Sequence, residues 1–398
     1  MKLYPIHGLG RMAIGLVGVG LLVSACGTSS TGGAKSPKTP IEIGAVVGLT
    51  GTTSTNGEYE LDAMQLAVKQ INAKGGVLGR PLYVDSVDSR STNEGVVAAI
   101  DQLGTSPVAL VGPDLSSEIG AVESTIKSEG MPDFIGGTLP SLTHEGNPWM
   151  LRNRPTDQYF AAALAQLGVV KDGVKSWDVV HTTDSYGTSA AAYFEAQLKT
   201  DGGTLADDIG VTSGTSDFTS AISEIKSSSA KGLVTFITLA TDNGVFATQL
   251  RQLGVTSSSM LWIAAQPTIS APSLQLAGSN LNGVYSVSDY VATATPEATT
   301  FAADLETTYS LTADVNAAFA YDAVEIIAAA ITKAGSTSHS AVRNAVLALK
   351  NFSDAQGPVN FNQYGDGDST VYIVEIENGA PVYQTTVALP VIPYIAVG

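Results

Sequence analysis

The side chains able to do covalent or metal chemistry are few and scattered. The chain of 398 residues holds one cysteine, Cys26, and only three histidines beyond its first 25 residues: His144, His181 and His339. The histidines do not stand at metal-ligand spacing. There is no Gly-x-Ser-x-Gly elbow, no His-Glu-x-x-His pair and no phosphate-binding Gly-x-x-x-x-Gly-Lys-Ser/Thr loop. Asp366-Gly367-Asp368 is too short for a calcium loop and reads as a turn. What remains is the chemistry of hydrogen-bonded capture. The apolar stretch 108–112 runs into Pro113-Asp114-Leu115-Ser116-Ser117-Glu118, which opens a helix. There Ser116 either caps the helix with its hydroxyl or turns that hydroxyl, with the neighbouring N–H groups, toward a carboxylate. A second stretch ends Ile135-Gly136-Gly137-Thr138, and a third leads to Tyr186 just before Gly187. Read alone, Thr138 is an ordinary loop residue and Tyr186 a half-buried packing residue at a helix start.

These groups need a scaffold, and the chain alternates regularly between two periods. Residues 41–49 form a strand, and 59–73 carry Leu61, Met64, Leu66, Ala67, Val68 and Ile71 at helical spacing. Gly75-Gly76-Val77-Leu78-Gly79-Arg80-Pro81 stops that helix and turns into strand 82–87. Helix 92–104, strand 108–112, helix 117–129 and strand 133–136 follow. A second series begins near residue 155, with helices 157–169, 188–200, 217–229 and 243–253 between strands 177–181, 204–211, 233–239 and 260–265. Such alternation means parallel sheets with helices on both faces, and two series suggest two of them. Beyond Gly283 the pattern changes to strand 284–287, helices 297–309, 315–334 and 339–350, then short strands 359–361 and 371–376. In open α/β sheets, ligands bind beyond the carboxyl ends of the strands, where helix N-termini offer unpaired N–H groups. Ser116, Thr138 and Tyr186 all stand at such ends.

The N-terminus speaks for export. Lys2 and Arg11 precede an apolar run over residues 14–25 that ends in small residues, the pattern of a cleaved signal. Val23-Ser24-Ala25-Cys26 resembles the bacterial lipobox, which implies that Cys26 is lipidated and starts the mature chain. The run is shorter than the ~20 residues that span a bilayer, so the protein is expected outside the cytoplasm, anchored by lipid to a membrane it does not cross. Residues 26–40, rich in Gly, Ser, Thr and Pro, read as a tether with a reach of about 20 Å. Loss of Lys2 and Arg11 leaves 18 basic against 37 acidic residues, a net charge of −19. So acidic a chain is repelled by phosphate backbones, which argues against nucleic acid as a partner. The 373 residues that remain are more than one core usually serves, so two domains are expected.

The motifs occur in a familiar order: Ile43-Gly44, Leu49-Thr50-Gly51, Ile71-Asn72-Ala73-Lys74-Gly75-Gly76, Val111-Gly112-Pro113 with Ser116-Ser117, and Asp184-Ser185-Tyr186-Gly187. Asp217-Phe218, Ala320-Tyr321-Asp322-Ala323, Lys333-Ala334-Gly335-Ser336 and Gly357-Pro358-Val359-Asn360-Phe361 continue it. From residue 41 to about 385 the chain resembles the leucine/isoleucine/valine-binding type of type I periplasmic binding proteins, the solute-binding components of ABC importers. The resemblance implies an α/β fold of two Rossmann-like lobes, each a parallel sheet flanked by helices, joined by a three-segment hinge. Carried over, one lobe takes 41–155 and 285–355, and the other takes 156–284 and 356–385. It implies that Ser116 holds a ligand carboxylate, that Thr138 meets the carboxylate and the amino group together, that Ser117 and Gly137 belong to the same ligand-binding site, and that Tyr186 closes over the ligand. Thr50, Gly51 and Asn56 would line the same mouth.

Two positions depart from that pattern. Relatives place an aromatic residue after the strand matching 233–239, where this chain reads Leu239-Ala240-Thr241-Asp242-Asn243. They also place a carboxylate near the end of the strand matching 260–265, to pair with the ligand ammonium, where this chain reads Ala264-Ala265-Gln266-Pro267. An uncharged Gln266 gives no charge-assisted bond to an ammonium. Asp242 either substitutes from the neighbouring loop or caps the following helix. The resemblance thus implies capture of a small polar solute for a permease, a branched-chain amino acid first. An amide, a urea or a small carboxylate would suit Gln266 better, since its side chain both donates and accepts. A ligand sensor on the same fold is the alternative role. No catalytic residue, cofactor or metal is expected, and the protein is expected to be a monomer.

Overall fold

The computed structural model describes residues 39–368 and 370–397. Cys26, the signal segment 1–25 and most of the tether therefore lie outside the described residues.

The first series builds a five-stranded sheet. In chain order come β1 (Ile41–Val47), α1 (Ser54–Ala73), β2 (Leu82–Asp88), α2 (Asn93–Leu103), β3 (Leu110–Val111), α3 (Ser116–Glu129), β4 (Asp133–Phe134), α4 (Ser141–His144) and β5 (Met150–Leu151). Strand order is β2-β1-β3-β4-β5, and every pair is parallel. β1 shows why: Ile-Glu-Ile-Gly-Ala-Val-Val is buried almost throughout, as a strand covered by helices on both faces must be. β3 and β4 are shorter than the apolar runs 108–112 and 133–136. Gly112 still donates to the Phe134 carbonyl at 2.8 Å, but its φ of +86° turns the chain off the sheet. A Cβ there would meet the Val46 carbonyl at 2.2 Å, so the turn needs glycine.

The second series builds a larger sheet, from α5 (Asp157–Ala165), β6 (Ser176–Thr182), α6 (Ser185–Thr200), β7 (Thr204–Val211), α7 (Thr219–Ser227) and β8 (Gly232–Phe236) onward. It continues with α8 (Ala240–Gln252), β9 (Leu261–Ala264), α9 (Ala271–Ala277) and β10 (Tyr285–Ser288). The chain then runs through α10 (Pro296–Tyr309), α11 (Val315–Ala334) and α12 (His339–Leu347). It finishes with β11 (Phe352–Asp354), β12 (Gly357–Phe361), β13 (Gly367–Asp368), β14 (Val371–Glu377) and β15 (Ala380–Val387). Strand order is β15-β14-β10-β9-β8-β6-β7, parallel from β10 to β7 and antiparallel at the β14 and β15 edge. A small antiparallel sheet, β11-β12-β13, stands apart.

Three expectations are corrected. The expected helix 157–169 stays α-helical only to Ala165, then widens into a π-helical turn over Gln166–Lys171. The split of the chain between the two sheets also differs from the segments drawn above. Strand Tyr285–Ser288 pairs with β9 and β14, so the chain leaves the second sheet after Ser288 and not before 285. The ring of Phe361 on β12 packs edge-on to Phe134 of β4 at 6.3 Å, so the last crossing falls between Phe361 and Val371 rather than at 356. α11 is long and apolar enough to cross a membrane, yet 83% of that stretch is buried in the protein, where it packs along α1 as a core helix.

Candidate functional site

A cavity opens beyond the carboxyl ends of β3 and β4, facing the start of α6 and the turn after β9, with about 560 Å³ of empty space counting its mouth. Its apolar walls include Leu115, Phe160, Tyr186, Pro267 and Val315. Two glycines bring the polar wall together. A Cβ on Gly136 would strike Asp114 Oδ1 at 2.4 Å, and one on Gly137 would strike Ser116 Oγ at 2.8 Å. Only because both lack side chains can the end of β4 lie against the start of α3.

That wall is rich in donors without partners. α3 has no side-chain cap, and its first backbone bond runs from Ile119 N to the Leu115 carbonyl. The N–H groups of Ser116, Ser117 and Glu118 therefore meet no acceptor among the described residues, and neither do those of Gly137 and Thr138. The Ser116 hydroxyl is buried and unpartnered as well. Several N–H groups at the head of a 14-residue helix, where its dipole is positive, make a seat for an anion.

The floor is Arg154, buried beside the cavity. Its Nε donates to Asp289 Oδ2 at 2.8 Å, Nη2 to Gln266 Oε1 at 2.7 Å and Nη1 to the Gly136 carbonyl at 3.1 Å. Asp114 Oδ1 stands 3.9 Å away. Burial opposes the guanidinium charge, but Asp289 and Asp114 outweigh it and raise its affinity for the proton. Gln266 also donates its amide N–H to Asp289, which accepts from Gln356 Nε2 at 3.0 Å. Gln356 in turn accepts from Asn153 Nδ2 at 2.8 Å. One buried network thus joins residues 153–154, 266, 289 and 356.

Carboxyl groups around this floor hold protons tightly. Burial, then Asp114, pushes Glu118 up to about 7. Burial, then Asp114, also drives Glu60 well above the usual range. Asp157 is pushed up to about 7 by burial, against a hydrogen bond from the Thr138 side chain. Asp114 itself is raised by burial and by Asp289, with Arg154 opposing.

Of the residues singled out from sequence, Ser116, Gly137, Thr138, Tyr186 and Gln266 line the cavity, as does Asn56. Ser117 is exposed and does not line it, though its backbone N–H belongs to the donor set. Asp242 does not line it either. Its carboxylate is buried in the first turn of α8, where it accepts from Gly214 N at 2.7 Å and from the Thr241 hydroxyl. The loop after β7 has folded over it and taken the charge. Thr50 is held by Asp88 at 2.6 Å, away from the cavity. Gln266 faces the cavity with both ends of its amide already engaged. Sequence reasoning passed over Arg154, Asp114, Phe160 and Asn316. Arg152 and Arg154, two of only 20 basic residues, fall at the break between the two series, and that was the available signal.

Two α/β sheets presenting strand ends and helix starts to one cavity define a class of solute-binding protein. The chain belongs to the periplasmic binding protein family, whose model matches residues 40–381. It is 29% identical over 332 residues to the Leu/Ile/Val-binding protein BraC3 of Rhizobium johnstonii, covering 82% of this chain and 88% of that protein. Among solved structures it is similar to the leucine-binding protein LivK of Thermotoga maritima, with a TM-score of 0.80 and 22% identity over 87% of this chain and 98% of that one. It is also similar to an ABC-transporter solute-binding protein of R. palustris in complex with benzoate, with a TM-score of 0.79 and 19% identity over 87% and 96%. These likenesses show the fold, and the family is one of binding proteins, not enzymes.

Proposed function

We propose that this protein captures a small carboxylate-bearing solute outside the cytoplasm and hands it to the permease of an ABC importer. The observation that carries the reading is the donor set at the ends of β3 and β4: five backbone N–H groups and the Ser116 hydroxyl, without partners among the described residues. Leucine and benzoate, named for two of the similar structures, have a carboxylate in common. In this reading Ser116, Gly137 and Thr138 grip that carboxylate while Tyr186 and Phe160 cover the rest of the ligand. The two sheets, with their helices, act as lobes that hinge shut about 152–156, 289–295 and 362–368, and the closed form is the signal to the permease. A thermal-shift panel of amino acids and small carboxylates tests it: a ligand at 100 times its dissociation constant adds about 2.7 kcal/mol of stability. X-ray scattering should show compaction with the same ligand. A panel without a stabilising, compacting member sinks the reading.

The finer placement is lipid anchoring at Cys26, supported by Val23-Ser24-Ala25-Cys26 and the tether behind it. Cys26→Ala should release the protein into the medium or leave an unprocessed precursor. A variant still processed and still in the membrane fraction would exclude the anchor.

A further inference from the structure

In the capture reading, the acceptors that line the cavity decide which carboxylate is taken. Resting on that reading, we propose that the site is built for a carboxylate without an ammonium group, an organic acid with a short apolar tail, and that Arg154 discriminates against α-amino acids.

A ligand ammonium brings three donors and a full positive charge, and it binds where acceptors are free, preferably charged ones. Here the acceptors beside the donor set already serve a protein cation. The Gly136 carbonyl and Gln266 Oε1 both accept from Arg154, at 3.1 and 2.7 Å. The other end of the Gln266 amide is held by Asp289, so it cannot turn to offer a second acceptor. Asp289 is fully buried and bonds Arg154, Gln266 and Gln356. Asp114 is the one carboxylate among the residues lining the cavity, and it faces the same guanidinium at 3.9 Å. An ammonium placed there would share Asp114 with a cation that cannot leave, and would meet that cation's repulsion. The neutral amides of Asn56 and Asn316 line the cavity too, but they offer no charge. The donors, by contrast, stand free. The walls of Leu115, Phe160, Tyr186, Pro267 and Val315 suit a short aliphatic or aromatic tail.

Calorimetry on the unmodified protein with matched pairs decides the matter: 4-methylpentanoate against leucine, and 3-phenylpropanoate against phenylalanine. The expected result is that the acid of a pair binds at least about tenfold more tightly than its amino acid, a difference of ~1.4 kcal/mol. Equal or tighter binding of the amino acid overturns the proposal and leaves the capture reading standing. In Asp114→Asn, the acid should bind several-fold more tightly, because a negative charge beside the donor set is gone. If instead amino-acid binding is present in the wild type and lost in Asp114→Asn, Asp114 serves an ammonium and Arg154 is not the discriminator. If neither acids nor amino acids bind or compact the protein, the capture reading fails beneath the proposal and takes it along.

Discussion

Arg152 and Arg154 are two residues apart on one stretch of chain, equally buried, and put to different uses. Arg152 employs all five of its N–H donors. It bonds Asp366 Oδ1 through Nε at 3.2 Å and Nη2 at 2.6 Å, the Thr143 hydroxyl at 2.9 Å, and the Gly137 and Leu139 carbonyls at 2.9 Å each. Arg154 makes three such bonds and lines the cavity. A buried arginine with every donor answered fastens loops together. One with donors to spare, at a cavity wall, sets the charge a ligand meets. Type and burial alone would have classed the two together; the hydrogen-bond inventory separates them.

The contrast is most sharply tested at Arg152. Arg152→Ala leaves the Asp366 carboxylate buried with only His144 and Thr143 beside it, and should lower the unfolding free energy by about 3–5 kcal/mol in urea titration. Pairing it with Asp366→Asn should restore much of that loss. A single variant as stable as wild type would mean that Arg152 fastens nothing.

Next comes the donor set. Ser116→Ala removes a hydroxyl without a partner in the unliganded protein, so its melting temperature should hold while affinity for the captured carboxylate falls by about 1–3 kcal/mol. A fall in stability with affinity intact would make Ser116 an ordinary packing residue.

The two arginine environments should also separate by pH. Around Arg154, Glu118 and Asp157 have folded-state values near 7, above those of the unfolded chain. Their contribution is therefore present below about pH 4 and is lost as pH rises toward 7. Burial works to raise Asp366, but Arg152, then His144 and Thr143, hold it well below the usual carboxylate range. Its contribution is present at neutral pH and is lost only as the solution becomes strongly acidic. The melting temperature should thus be a few degrees higher at pH 5 than at pH 8, and Glu118→Gln should flatten that slope. A profile that rises from pH 5 to 8 would contradict these environments.

The smallest effect belongs to Asp242→Asn. It weakens the bond from Gly214 N and should reduce stability by about 0.5–1.5 kcal/mol while changing ligand affinity less than twofold. A severe loss of affinity would return Asp242 to the ligand.

Much of this molecule can be read without coordinates. The alternation of strand and helix marked nearly every element of both sheets, because buried parallel strands and amphipathic helices print different periods on the chain. β15 was missed because Ala380–Val387 is exposed along most of its length and so has no buried face to print a period. Ser116 stood out because local rules put it at a strand end where a helix opens, whereas Thr138, an ordinary loop residue when read alone, was singled out only by the resemblance. Arg154, Gln266 and Asp289 escaped as a unit. Their partnership joins positions 112 and 135 residues apart, and neither period nor propensity encodes such distances. The bond of Asp242 was illegible for the same reason, since a charge beside a strand end gives no hint that the backbone of a distant loop donates to it.

The two arginines also act as levers on the loop between them. A trans peptide is flat, and its N–H points opposite to its carbonyl. Arg154 draws back the Gly136 carbonyl and Arg152 draws back the Gly137 carbonyl. The N–H groups on the far edges of those same two planes belong to Gly137 and Thr138. Both are thereby aimed away from the arginines and locked before any solute arrives, so binding need not organise this stretch of backbone. The glycines give the loop its reach, and the flanking cations take away its freedom.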